Sequence, residues 1–107
     1  MAPKGYWIAT YRSVSDPAAL ARYAEAGAPA IVAGGGRFLA RGLPAKAYES
    51  ALAQRCVVIE FESVAAAVAT YEGPAYQAAL ALLAGAVERE VRIVEGLPAP
   101  PGRMSML

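Results

Sequence analysis

The chain contains no histidine and only one cysteine among its 107 residues. Without histidine there can be no imidazole-built zinc site, no haem held by an axial histidine, and no Ser-His-Asp or Cys-His catalysis. A single cysteine excludes an internal disulfide. Cys56 stands beside Val57, Val58 and Ile59, where a small buried thiol is the ordinary expectation. Charge of one sign is scarce as well: ten Lys and Arg against nine Asp and Glu leave a formal +1. With no dense basic cluster, neither nucleic acid nor an anionic membrane surface is expected as a partner. Long apolar runs are also missing. Glycine, proline or charge interrupts the alanine-rich stretches well short of the roughly 18 residues a membrane span needs, and no signal-peptide pattern follows Met1 to Gly5. Glu88, Glu90 and Glu95 lie close together, but no further ligand converges on them in sequence, so no metal is expected. Nor is a cofactor expected, and the cytoplasm is the default location.

What the chain does contain is apolar: 57% hydrophobic residues and 18% charged ones. A domain this small has much surface to cover with polar groups, so part of this excess points to a face covered by a second chain. The segments alternate in character. "YWIATY", Tyr6 to Tyr11, reads as a first strand. Asp16 and Pro17 open a helix that runs through Leu20, Tyr23 and Ile31, with a bend expected at Gly27 and Pro29. Gly34 to Gly36 close it, and Arg37 to Arg41 form a second strand. An irregular excursion precedes "CVVIEFES", the third strand. Ser63 caps a short helix through Val64, Val68 and Tyr71. Gly73-Pro74 breaks it, and a further helical stretch carries Tyr76, Leu80 and Leu83 to about Ala84. "VEREVRIVE", Val87 to Glu95, is the fourth strand. The order β-α-β-β-α-β predicts an α+β, ferredoxin-like fold: one four-stranded antiparallel sheet with both helical regions on one side, the second of them split. The domain is expected over residues 1–96, with a loose tail over 97–107.

Alternation divides the strands into two sets. Tyr6, Ile8, Thr10, Phe38, Ala40, Val57, Ile59, Phe61, Val91 and Ile93 are nearly all apolar and are expected to meet the helices. The opposite set mixes Trp7, Ala9 and Tyr11 with Arg37, Leu39, Arg41, Cys56, Val58, Glu60, Glu62, Arg92 and Val94. It suits a sheet face partly covered by a partner sheet and partly lining a cavity. Burying an unpaired charge is costly, so Arg41 and Glu60 should pair or meet a ligand. Glu60 is the candidate proton acceptor and Arg41 the candidate stabiliser of negative charge, with Trp7, Tyr11 and Arg37 as candidate substrate-binding residues. The stretch "GGGRFLARG" could cradle an anion. However, its glycines close a helix and open a strand, the reverse of a phosphate-binding loop, so a left-handed helix cap is the expectation. Tyr23 and Tyr76 should fill the core.

The fragments "KGYWIA", "GGGRFLARG", "RCVVIEFES", "GPAYQAA" and "IVEG", in this order over residues 4 to 96, resemble a family of small bacterial proteins of unknown function, DUF1330. The resemblance implies a dimeric α/β-barrel, a homodimer packed sheet to sheet. That superfamily includes cofactor-free monooxygenases, isomerase-like enzymes and stress-response proteins. It implies no catalytic set. This chain also lacks the tryptophan that the family tends to carry between strands two and three, and has Gly73-Pro74 in place of a common Ser-Pro pair. Three readings stand: a cofactor-independent oxygenase or isomerase acting on a small organic molecule, a non-catalytic ligand-binding or stress-associated dimer, and an interface in which Arg41 and Glu60 are a structural pair.

Overall fold

The computed structural model describes residues 3–98. Its elements are β1 (Gly5–Val14), α1 (Pro17–Ala33), β2 (Arg37–Gly42), β3 (Cys56–Phe61), α2 (Val64–Glu72), α3 (Pro74–Ala81) and β4 (Val87–Glu95). The strands form one antiparallel sheet in the order β2-β3-β1-β4. This is the expected ferredoxin-like arrangement. Most of the tail expected over 97–107 lies outside the described residues.

The local chemistry accounts for most of the boundaries. The Asp16 carboxylate accepts from the Ala19 amide at 3.1 Å and starts α1, and the Ser63 hydroxyl accepts from the Ala66 amide at 3.0 Å and starts α2. Pro74 opens α3, where it lacks only an amide the helix would not have used. The bend expected in α1 does not break it, because the helix is continuous through Pro29. Both Glu25 and Pro29 are exposed, so water can satisfy the carbonyl that proline leaves free. Gly27 lies against Tyr23, where a Cβ would sit 3.2 Å from the ring. The glycine run is a helix cap. Gly35 has φ +97°, its amide donates to Val32 O at 3.0 Å, and the Gly36 amide donates to Ile31 O at 2.9 Å. The Gly34 amide is likewise engaged, by Ala30 O at 3.1 Å. With all three donors committed inside the chain, the run cannot cradle an anion.

The assignment of strand faces needs two corrections. In β1, Trp7, Ala9 and Tyr11 are buried beneath the helices, and Tyr6, Ile8 and Thr10 lie on the open face. Pairing decides this: Trp7 stands opposite Ile59 and Ile93, whereas Tyr6 stands opposite Glu60. In β2, the pairing shifts between Phe38 and Ala40. The extra residue, Leu39, turns Arg41 to the helix side, opposite Val57. Arg41 and Glu60 therefore lie on opposite faces and do not pair.

The core is a sheet of aromatics under the helices. Trp7 is 1% exposed, stacks with Phe61 at 6.0 Å between centroids and meets Tyr76 edge-on at 4.8 Å. The molecule spans 46 × 36 × 15 Å, the thin dimension of a two-layer slab whose other sheet face is uncovered among the described residues.

Candidate functional site

Arg89 lies on the helix side of the edge strand β4, near its start. It shares a strand face with Val87, Val91 and Ile93 and pairs across the sheet with Tyr11. Its guanidinium donates to three tyrosine hydroxyls: Tyr76 at 2.9 Å, Tyr11 at 3.1 Å and Tyr23 at 3.5 Å. Tyr23 and Tyr76, from α1 and α3, share a buried hydrogen bond of 2.6 Å. The Arg89 guanidinium also lies 5.5 Å from the Tyr11 ring centroid and 5.2 Å from that of Tyr23. No carboxylate among the described residues pairs with it. Burial works against the Arg89 charge, yet the surrounding tyrosine oxygens outweigh it and hold the guanidinium protonated. Burial, followed by the neighbouring Tyr23, pushes the Tyr76 hydroxyl far above its ordinary range, so it keeps its proton and does not serve as a base.

Beside this cluster lies a cavity of about 30 Å³, lined by apolar and aromatic side chains including Trp7, Phe38 and Ile59, and by the three arginines Arg41, Arg55 and Arg89. The lining contains no acidic residue. The exposed Arg41 stands at the rim, its guanidinium 5.0 Å from the Phe38 ring centroid. Arg55 comes from the end of the long connection, where its carbonyl accepts from the Tyr11 amide at 3.0 Å. Its Nε is buried and has no hydrogen-bond partner among the described residues. An orphaned charged donor of this kind costs about 1–3 kcal/mol or more.

Of the residues singled out in sequence, Trp7, Tyr11 and Arg41 meet at this cavity. Glu60 and Arg37 do not. They form an ion pair of 2.8 Å on the open face, where the Tyr6 hydroxyl also donates to Glu60 at 2.9 Å. That hydrogen bond first, and the Arg37 charge after it, hold the Glu60 carboxyl below the ordinary range, while the same bond raises the Tyr6 hydroxyl. Because the carboxyl is lowered on folding, its contribution to stability is present above the ordinary carboxylate range and is lost as pH falls through the lowered value. The expected result is that Glu60→Gln loses less thermal stability than the parent between pH 7 and about pH 3, measured by circular dichroism melts across that range. Cys56 is half-buried on this face, and its thiol lies 3.6 Å from Gln54 O.

Sequence reasoning missed Arg89 and Arg55. For Arg89 the signal was present, since it has the same parity as Val91 and Ile93. Tyr23 and Tyr76 were expected in the core and lie there, at 8% and 1% exposure. Among the described residues no three His, Cys, Asp or Glu side chains converge as a metal site, and no helix is long and apolar enough to cross a membrane.

Comparison with known proteins agrees with this architecture. The model of the domain of unknown function DUF1330 matches residues 4–97. No curated protein matches the chain. Among solved structures, RPA0582 of Rhodopseudomonas palustris, a protein of unknown function, is similar with a TM-score of 0.68 and 20% identity, over 92% of this chain and 85% of that one. A dimeric ferredoxin-like protein of unknown function from Thermobifida fusca gives 0.62 and 18%, over 89% and 92%. SnoaB, a cofactor-independent oxygenase from Streptomyces nogalater, gives 0.59 and 16%, over 94% and 99%. At these identities the likeness carries the fold alone.

Proposed function

The chain belongs to the DUF1330 family, and from that premise we propose that it is a homodimer that binds a small organic molecule between helices and sheet and oxidises it with dioxygen, without a cofactor. The observation that carries this reading is the cavity's one-sided chemistry. Three guanidinium groups line it together with Tyr11 and Tyr23, whose hydroxyls accept from Arg89, and its lining has no carboxylate and no histidine to take a proton. Such a site stabilises an anion and does not generate one. An isomerase needs a protein base, so the oxygenase reading fits better. The substrate itself supplies an acidic carbon or phenol. The substrate is acidic enough to give its first proton to water. Its carbanion adds dioxygen, and the peroxide anion takes a proton back from water. The O–O bond breaks as the second hydrogen of the same carbon leaves with the hydroxyl as water, so that a CH2 becomes a carbonyl. Arg41 stays in the proposed site at the rim, with Trp7 and Tyr11 as walls. Glu60 and Arg37 are assigned instead to the subunit interface.

The proposed interface is the open sheet face. Ile8 and Val58 lie at its centre, and Leu39 and Val94 are each 47% exposed in the single chain. The long connection adds Leu43 and Tyr48, at 73% and 72%. Both the T. fusca neighbour and a ferredoxin-like protein from Bacteroides fragilis are dimers, which supports the same assembly here. A second reading, a ligand-binding dimer without catalysis, is favoured by the cavity's small size. About 30 Å³ has room for roughly two water molecules. Oxygen uptake separates the two. A panel of phenolic acids and 1,3-dicarbonyl compounds is incubated with the metal-free protein in an oxygen electrode. Uptake matched by a carbonyl product is expected. Binding without uptake would leave the non-catalytic reading.

A further inference from the structure

Resting on the small-molecule reading above, we propose that the cavity recognises the carboxylate of an aromatic acid, with Arg55 as the main recognition group. Four ion pairs join Lys and Arg to carboxylates among the described residues, and none involves Arg41, Arg55 or Arg89. The three unpaired guanidinium groups line one cavity, whose wall has no compensating acid. Arg89 is already committed to tyrosine hydroxyls, and Arg41 is exposed over Phe38. Of the three, only Arg55 keeps a buried donor, Nε, with nothing to bond among the described residues. The Nε edge of a guanidinium presents two parallel N–H groups, a spacing that matches the two oxygens of a carboxylate.

The sheet sets the geometry. Tyr11 bonds through its amide to the Arg55 carbonyl on one side and pairs with Arg89 on the other. Arg55, just ahead of β3, Tyr11 in β1 and Arg89 in β4 thus form one row across the sheet, with backbones spaced by about 4.8 Å per step. A carboxylate over Tyr11 would be flanked by positive charge on both sides. The enclosed volume suits a head group and not a whole ring. The ring would lie where the cleft opens, against Leu20, Ala28 and Phe38.

The test uses benzoate and its neutral counterpart benzamide on the full chain, followed through Trp7, the single tryptophan and part of the cavity wall. Benzoate is expected to bind at least about tenfold more tightly than benzamide, as a charge-assisted pair requires. Arg55→Met should abolish that preference by weakening benzoate binding about tenfold relative to benzamide. Because it removes the orphaned donor, it should also raise the melting temperature of the unliganded protein by roughly 4–8 °C. Arg55→Lys serves as a second variant, keeping the charge but losing the fork, and should recover only part of the preference. Equal binding of the two probes, unaffected by either variant, would overturn the carboxylate inference and leave the small-molecule site standing. Failure of both probes to perturb Trp7 would overturn both. Loss of the dimer in Arg55→Met would place its partner in the second subunit and also overturn the inference.

Discussion

Arg89→Met is expected to slow turnover of an oxidisable substrate by roughly 10²-fold, the lower end of what an anion-stabilising donor supplies, because its own N–H groups bond the tyrosines and it acts on the cavity through its charge. The same change should leave the melting temperature within a few degrees of the parent. Two effects compensate. The three hydroxyls lose a cationic donor, but the fold no longer carries a half-buried charge that lacks a carboxylate. Tyr23 and Tyr76 keep the bond between them, and the methionine stem retains much of the packing. Turnover and melting measured on the same preparation distinguish this from a structural role. A large fall in melting temperature with intact turnover would make Arg89 a structural cation.

The second large effect concerns the open face. Val58→Glu should convert the proposed dimer to monomer, raising the dissociation constant by about 10²-fold or more. Val58 stands between Ile8 and Ala40 in the register and is only half-buried in the single chain. The new carboxylate would lie on the same face as Glu60, and a two-fold axis would bring the partner's copies opposite. Burying such a charge unpaired costs several kcal/mol, and each 1.4 kcal/mol is a factor of ten. Sedimentation velocity at micromolar concentration reads the outcome directly. An unchanged dimer would show that the sheets do not face one another.

The element order was legible in the sequence because each boundary carries its own chemistry. Asp16 and Ser63 cap helices, Gly34 to Gly36 end one, and Gly73-Pro74 separates two. The faces were only partly legible. In the first strand both parities are apolar: Tyr6 and Ile8 compete with Trp7 and Ala9, so alternation alone cannot select the buried set. Pairing with Ile59 does so, and pairing is a tertiary fact. The irregularity at Leu39 was equally invisible, and it moves Arg41 across the sheet and away from Glu60. Arg89 was readable by parity, but its charge made it look like a rim residue. The convergence of Tyr11, Tyr23 and Tyr76 on that guanidinium joins residues from four elements, β1, α1, α3 and β4, which no local pattern encodes.

The side of the sheet that receives a ligand separates the helix-side cavity from the open face. A crystal structure of the protein soaked with benzoate locates it. The predicted result is electron density on the helix side, with the carboxylate on Arg55 and the molecule in contact with Phe38 and Tyr11. Density against Ile8, Val58 and Glu60 on the open face, with the helix-side cavity unoccupied, would contradict it.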